Sequence, residues 1–486
     1  MSLDIGLSKK SICLYARSGQ NKLYSKIGLK MEQDNMSVSY IVQNDYEEKN
    51  VLLEGCKGNV YNLTKYIKEN WSNSEILDKL DLSKIELEYN INSIWSIFYT
   101  DRFLTKYKYD DAVKFIKLHI LFYQNIIKIE KLDYYVNENI ALFSSYIFYL
   151  IGNYENVKYL GMSCPRNFVD TKFYFTNDEH STNYLLNKYL SENVFSDIEK
   201  DNANILIKSI RETTTRPAYM NFSGKKPKFK LSFFKDLAKY CASYITNHYK
   251  DFYNYETYKE NKSIIQLLSN YIKYNFQKRY FQEAISNDIF FLFPLHFQPE
   301  ATTLVNAQNY EKQLYAIDLI AKKLPIGTIL YVKEHYAFLG HRESDFYKKL
   351  LKYPNVRLID PWTDSKDLIK KSIGVITLTG TAGWEAMFYN KPVFLLGNMF
   401  YESFSYINKI KNIDDLSTKL KNIDISSYHS KEYEEELVSY VSSYLKSLKD
   451  GNYILGDFAN VLKEENIVNI TNNLIVEINR ELNIVK

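Results

Sequence analysis

Short apolar runs alternate with helical periodicities along most of the chain, and the alternation is cleanest between residues 288 and 398. Ile289–Leu295 (IFFLFPL) reads as a buried strand, because a continuous apolar run of that length suits a strand covered on both faces. From Gln308 the spacing predicts a helix to Lys323, with Tyr310, Leu314, Ile317, Ala321 and Leu324 on one face. Pro325-Ile326-Gly327 breaks the chain before a second strand, Thr328–Val332. Ser344 is placed to N-cap a short helix running through Tyr353. Val356–Ile359 is the third strand, Asp364–Ser372 a short helix, and Gly374–Leu378 the fourth strand. A helix from Ala382 to Tyr389 ends at Asn390-Lys391-Pro392, and Val393–Leu396 is the fifth strand. Strands and helices in this order, joined by short connections, predict a doubly wound parallel sheet.

The N-terminal half carries the same alternation more faintly. Ser11–Tyr15, Ser37–Val42, Asp133–Val136 and Lys158–Met162 read as strands, with helices expected over Gln20–Met31 and Ile140–Ile151. Residues 181–285 are polar, helical in pattern and rich in Tyr and Lys. They include a basic loop, Ser223-Gly224-Lys225-Lys226-Pro227-Lys228-Phe229-Lys230, which is either a solvated turn or a contact for an anionic acceptor or acidic membrane surface. With 486 residues the chain is too long for one ordinary core. The expected division is a Rossmann-like domain over 1–285 carrying a helical insertion at 181–285, and a second Rossmann-like domain over 286–413. A helical tail over 414–486 is expected to pack back on the first domain.

Composition narrows the class. Hydrophobic residues are 45% and charged residues 25%, the balance of a globular protein. A net charge of +4 is too small to indicate nucleic acid as a partner. The 44 tyrosines accompany abundant Lys, Asn and Ile and fit a coding bias better than a base-stacking surface, since no RNP-type aromatic motif occurs. Cys13, Cys56, Cys164 and Cys241 are scattered without a C-x-x-C pair, which suits a reducing compartment and neither a zinc site nor a disulfide scaffold. No signal-peptide pattern and no bilayer-length apolar run is found. The expected location is cytoplasmic, with peripheral contact at the inner face of the cytoplasmic membrane.

Ligands of open parallel sheets bind beyond the carboxyl ends of the strands, and four polar clusters fall at four such ends. They are His296-Phe297-Gln298-Pro299-Glu300, Lys333-Glu334-His335, Asp360-Pro361-Trp362 and Thr379-Gly380-Thr381-Ala382-Gly383. The last runs into a helix, whose N-terminal N–H groups and dipole suit a phosphate, with Thr379 and Thr381 adding hydroxyls. It is not a Walker loop, and taken alone it is also an ordinary helix cap. Glu385, one turn further on, either accepts from ribose hydroxyls or is a carboxylate favoured by the helix dipole. His335 can donate to a phosphate oxygen or protonate a leaving group, and a structural histidine is the alternative. Trp362, or the backbone at Asp360, can flank a base. No Asp-x-Asp occurs, so the reading has no metal and neutralises the donor phosphate with helix dipole, histidine and hydroxyls.

The stretch FPLHFQPEATT … LPIGTILYVKEH … NVRLIDPWTDSKDLI … VITLTGTAGWEAMFYNKPVF resembles the capsule polysaccharide biosynthesis family, which includes bacterial Kdo transferases. The resemblance is close over Phe291–Gly397 and looser at Phe98–Leu104, Asn137–Asn139 and Pro165–Phe175. It implies an α/β, GT-B-like fold, with two Rossmann-like domains facing a central cleft and a metal-independent glycosyltransferase activity. It further implies a CMP-activated 3-deoxy sugar acid as donor substrate rather than a bound cofactor. The acceptor would be a surface polysaccharide or glycolipid, with the inner membrane or capsule assembly proteins as peripheral partners. The family's His-Pro is here His335-Tyr336, a departure that bears on donor geometry.

The resemblance implies that Gln298, His335 and the turn Thr379, Gly380, Thr381, Ala382 and Gly383 hold the donor nucleotide and phosphate, with Glu385 near the ribose. Glu300, Lys333, Glu334, Asp360 and Trp362, from the same strand-end clusters, are expected on the donor side with them. Glu138 and Asp101 are the candidate catalytic carboxylates, with His335 the remaining acid–base candidate, and Arg102 and Arg166 suit a sugar carboxylate or the acceptor. Polyol-phosphate transfer, for which His296 would be the second histidine, a nucleotide-sugar epimerase of the same fold, and a non-catalytic scaffold are the alternatives.

Overall fold

The computed structural model describes residues 10–212, 251–257, 264–335, 338–453 and 458–480. The basic loop at 223–230 and Tyr336 lie outside the described residues.

The first sheet contains β1 (Ser11–Tyr15), β2 (Ser37–Val42), β3 (Val60–Asn62), β4 (Tyr134–Glu138), β5 (Lys158–Ser163) and β6 (Lys172–Thr176). Its order is β6-β5-β4-β1-β2-β3, with a two-residue strand, Lys449–Asp450, beyond β6. Strands β3 to β5 are parallel through β1, whereas β6 pairs antiparallel with β5 at Gly161↔Thr176. Consecutive side chains of β1 go to different cores, as a parallel sheet covered on both faces requires. Cys13 and Tyr15 join Phe115, Phe143 and Phe148 on one side. Ile12 and Leu14 join Leu23, Ile27, Leu474 and Ile478 on the other. The covering helices are Tyr109–Glu130 and Phe143–Tyr154 on the first face, and Asn21–Gln33 and Glu464–Arg480 on the second.

The second sheet is β7 (Phe290–Pro294), β8 (Ile329–Lys333), β9 (Val356–Ile359), β10 (Gly374–Thr377), β11 (Val393–Leu395) and β12 (Ile407–Lys409). All its pairings are parallel, in the order β12-β11-β10-β7-β8-β9. Both sheets therefore reverse their winding beside the first strand, at β1/β4 and at β7/β10. These are the topological switch points where Rossmann-like units open a crevice.

The strands expected for the second sheet are found within a residue or two of their predicted bounds, and β12 is added to them. The helix predicted from Gln308 is a 3-10 turn, Gln308–Tyr310, and then a helix over Gln313–Ala321. The helix expected from Ser344 spans only Phe346–Leu350, and Asp345 precedes it without a side-chain cap bond.

The compact units differ from the expected domains. One comprises residues 1–185, 250–258 and 447–486, and the other residues 186–249 and 259–446. Most of the expected insertion thus belongs to the second unit. There the Arg211 guanidinium donates to the Phe388 carbonyl at 2.6 Å and pairs with Glu434 at 2.8 Å. The expected tail divides likewise. The Lys431–Ser447 helix stays in the second unit, its Tyr433 hydroxyl donating to the Met387 carbonyl at 2.7 Å, and only the chain from 447 joins the first.

Two buried carboxylates organise loops of the first unit. Glu47, in the first turn of the Asp45–Leu53 helix, accepts from Ser18 N at 2.6 Å and Gln43 N at 2.7 Å, joining the loops after β1 and β2. Asp101 accepts from Phe103 N at 2.7 Å, Leu104 N at 3.0 Å and Phe143 N at 3.1 Å. Burial is the largest influence on both. It pushes Glu47 up to about 7 and Asp101 up to about 6, against the lowering effect of the N–H donors. Between pH 4.5 and 7 folded Glu47 keeps a proton that the unfolded chain has released, so stability falls as pH rises through that window. Glu47→Gln should flatten this slope, worth about 3 kcal/mol at its full extent. Melting temperatures from pH 5 to 8 check it, and an unchanged slope in the variant would contradict the assignment.

Candidate functional site

Hydrogen bonds join the loops after β7 and β10 across the switch point of the second sheet. His296, just after β7, accepts at Nε2 from Thr379 N, just after β10, at 3.2 Å. The His296 backbone is itself held on both sides by Gln313, whose Oε1 accepts from His296 N at 2.7 Å and whose Nε2 donates to His296 O at 3.0 Å. Gly380 then caps the Thr381–Phe388 helix without a side-chain cap bond. Gly380 N donates to Thr377 Oγ1 at 2.9 Å, and Tyr401 Oη donates to Gly380 O at 2.7 Å.

The two glycines of this turn are required by packing within the protein. A Cβ on Gly380 would lie 2.7 Å from Thr377 Oγ1, and one on the buried Gly383 would lie 2.5 Å from Tyr401 Oη. The expectation for Thr379 is corrected: it is 1% exposed, with its hydroxyl donating to the Thr302 carbonyl at 2.9 Å. Thr381 and Ala382, at the helix start, and Glu385, one turn on, are half-buried.

Glu334 is fully buried and forms an ion pair with Arg342, Nε to Oε2 2.8 Å and Nη2 to Oε1 3.0 Å. Tyr347 Oη donates to Glu334 Oε2 at 2.8 Å, and His335 N donates to Oε1 at 2.7 Å. The guanidinium also donates to His296 O at 3.0 Å and Gln298 Oε1 at 3.3 Å, and lies over the rings of Phe338 and Phe346. One cation thereby joins the loops after β7 and β8. Glu334, expected to touch the ligand, instead carries the internal charge on which this junction is built. Lys333 is buried too, and its ammonium donates to the Pro361 carbonyl at 2.9 Å, tying the loop after β8 to that after β9.

What remains toward the crevice is a smaller set. His335 is half-buried with its ring edge-on to Phe297, and burial is the largest effect holding its imidazole below the usual range. Its ring can donate through N–H to a phosphate oxygen. Gln298 is half-buried, its amide nitrogen donating to the Glu311 carbonyl. Asp360 closes its own turn by accepting from Trp362 N at 2.7 Å, leaving Trp362 half-buried at the end of β9. Glu300 is exposed at the start of the short Ala301–Leu304 helix.

In the first unit the corresponding switch point also carries charge. Arg17, two residues past β1, donates from Nη2 to Glu138 at the end of β4 and from Nη1 to Glu256, each at 2.7 Å. Arg17 and Glu256 were not singled out in the sequence. Arg17 could have been found as a charged residue at a strand end, whereas Glu256 arrives from a segment distant in the chain. Of the two expected catalytic carboxylates, Glu138 keeps a quarter of its side chain exposed. Asp101 is 1% exposed, with both oxygens taken by backbone N–H groups, so it is a loop-organising residue and not a catalytic one. Arg102 is exposed with its guanidinium over Phe103, and Arg166 is half-buried beyond β5.

Removing Arg342 leaves a buried, unpaired carboxylate, which costs about 3–5 kcal/mol. Arg342→Ala should lower the urea midpoint of the second unit accordingly, and adding Glu334→Gln should restore much of the loss. A double variant no better than the single one would contradict the charge-pair account.

Comparison with curated proteins finds no match. Among solved structures the chain is similar to KpsC of Thermosulfurimonas dismutans, a beta Kdo 2,7 transferase, at 13% identity and a TM-score of 0.38. That alignment covers 72% of this chain and 89% of the other. It is also similar to the UDP-GlcNAc 2-epimerase of Neisseria meningitidis, at 12% identity and a TM-score of 0.24, covering 90% and 98% of the two chains. A glycosyltransferase from Rickettsia africae ESF-5 aligns at 11% identity and a TM-score of 0.27, covering 91% and 94%. Residues 208–411, which contain the whole of the second sheet and its crevice, match the family described as capsule polysaccharide biosynthesis protein.

Proposed function

We propose that the chain is a metal-independent glycosyltransferase whose second unit binds a nucleotide-activated sugar. The observation that carries this reading is the β7/β10 switch point, where His296 holds Thr379 and so presents the start of the Thr381–Phe388 helix to the crevice. Free N–H groups and the positive end of a helix dipole favour a phosphate there. In this reading the Thr381 hydroxyl and the His335 ring supply further donors, Trp362 a face for the base, and Glu385 an acceptor for ribose hydroxyls. The family match over residues 208–411 supports the same reading.

The donor we propose is a CMP-linked, Kdo-like 3-deoxy sugar acid, and the acceptor a bacterial surface polysaccharide or lipid-linked glycan. Both rest on the sequence motifs QPE and GTAGWEA and on the family match. Glu138 is the group we assign to the acceptor hydroxyl as general base, or to the sugar as nucleophile. Arg17 holds its carboxylate in place. Polyol-phosphate transfer through paired histidines is disfavoured, because His296 is 9% exposed and spends Nε2 on Thr379 N.

Calorimetry with CMP, UDP, GDP and CDP should show selective binding of the cytidine monophosphate. His335→Ala should weaken it at least tenfold, about 1.4 kcal/mol. No cytidine nucleotide binding would overturn the donor assignment, and unchanged affinity in the variant would remove His335 from the site. Glu138→Gln should abolish transfer while leaving CMP affinity intact, and full turnover in that variant would remove Glu138 from catalysis.

A further inference from the structure

A second concave site lies in the first unit, away from the residues assigned above. It is an open groove of about 310 Å³ between the end of the Leu63–Asn70 helix, the Ser74–Lys79 helix and the first turns of Tyr109–Glu130. Trp71, Asp78, Tyr109, Asp110 and Lys114 line it. Trp71 is braced edge-on by Phe115 at 4.9 Å, Phe252 at 5.2 Å and Tyr253 at 5.6 Å, so its ring cannot reorient cheaply. The Lys114 ammonium lies 5.3 Å from the centre of that ring. Tyr109, 70% exposed, stacks on Trp95 at 5.7 Å and 28°, and Tyr99 beside it is 58% exposed. An aromatic surface thus continues outward from a rim of two carboxylates and two ammonium groups, of which Lys117 donates to the Leu77 carbonyl at 2.7 Å.

We propose that this groove is a saccharide-binding subsite that takes a neutral or N-acetylated pyranose unit of the acceptor glycan. The inference rests on the glycosyltransferase reading and extends it to a place outside the two switch points. A sugar ring has an apolar C–H face suited to Trp71 and Tyr109, and an edge of hydroxyls that need both acceptors and donors. Asp78 and Asp110 accept, and Lys114 donates. A phosphate or an acidic sugar would meet the carboxylates of Asp78 and Asp110 while the Lys117 ammonium is already donating to the Leu77 carbonyl. An acyl chain would have to desolvate all four charges. The groove also communicates with the candidate catalytic carboxylate. Phe252 and Tyr253, which brace Trp71, belong to the same short segment that delivers Glu256 to Arg17, and Arg17 holds Glu138.

The test uses the full chain, fluorescently labelled, on an array of immobilised neutral, N-acetylated and acidic oligosaccharides. We expect retention on neutral or N-acetylated glycans, and a loss of about fivefold in apparent affinity for Tyr109→Ala/Asp110→Asn. Both positions are exposed, and an unchanged melting temperature of the double variant checks that the fold is intact. CMP affinity, measured in parallel, should be the same in both proteins. No retention on any neutral or N-acetylated glycan, or equal retention by the variant, would overturn the subsite. Glycan retention without CMP binding would overturn the donor reading and leave the groove standing.

Discussion

The buried pair of Glu334 and Arg342 is the interaction on which the second unit's crevice depends. A carboxylate without solvent exposure is strongly unfavourable unless its lone pairs are filled, and here two guanidinium nitrogens, a tyrosine hydroxyl and a backbone N–H fill them. The guanidinium's remaining donors go to His296 O and Gln298, and its faces are covered by Phe338 and Phe346. Its directional fork makes Arg342 hard to replace by lysine, which could satisfy the charge without joining both loops. Replacement of the pair by apolar side chains could preserve stability and still lose the positions of Gln298 and His335, because apolar packing does not fix hydrogen-bond directions.

The two units answer one geometric problem with different chemistry. In each parallel sheet the winding reverses beside the first strand, and the backbone there parts into a crevice. In the second unit the parted ends are rejoined by His296 and Thr379, with a helix start set beside them. In the first unit they are rejoined by charge, Arg17 from one strand end meeting Glu138 from the other, with Glu256 added. A helix start suits an anion, and a partly exposed carboxylate suits proton transfer or nucleophilic attack. The buried Glu47 and Asp101 fix the loops around this second arrangement without facing a ligand themselves.

Legibility in the sequence followed burial. Strands β7 to β11 are mostly buried and appear as short, predominantly apolar runs, so their places could be read within a residue or two. Strands β3, β6 and β12 could not. They are short segments such as VYN and INK, and their tyrosines and polar residues look like the surrounding background. The polar clusters at strand ends were visible as clusters. Which members face inward was not, because Lys333, Glu334 and Thr379 are as polar as His335 and Thr381. Only the positions of Pro361, Arg342 and Thr302 show that the first three are spent within the protein.

The sequence by itself determined two α/β units, each built on a largely parallel sheet, and polar clusters at the carboxyl ends of the second sheet's strands. Those properties follow from local periodicity and from the direction of each strand, which neighbouring residues encode. Tertiary structure decided the rest: which carboxylates are buried, that residues 250–258 return to the first unit with Glu256, and that Arg342 lies under the loop after β7. Such pairings join residues dozens to hundreds of positions apart. Their partners are selected by charge and packing in three dimensions, and no periodicity along the chain records them.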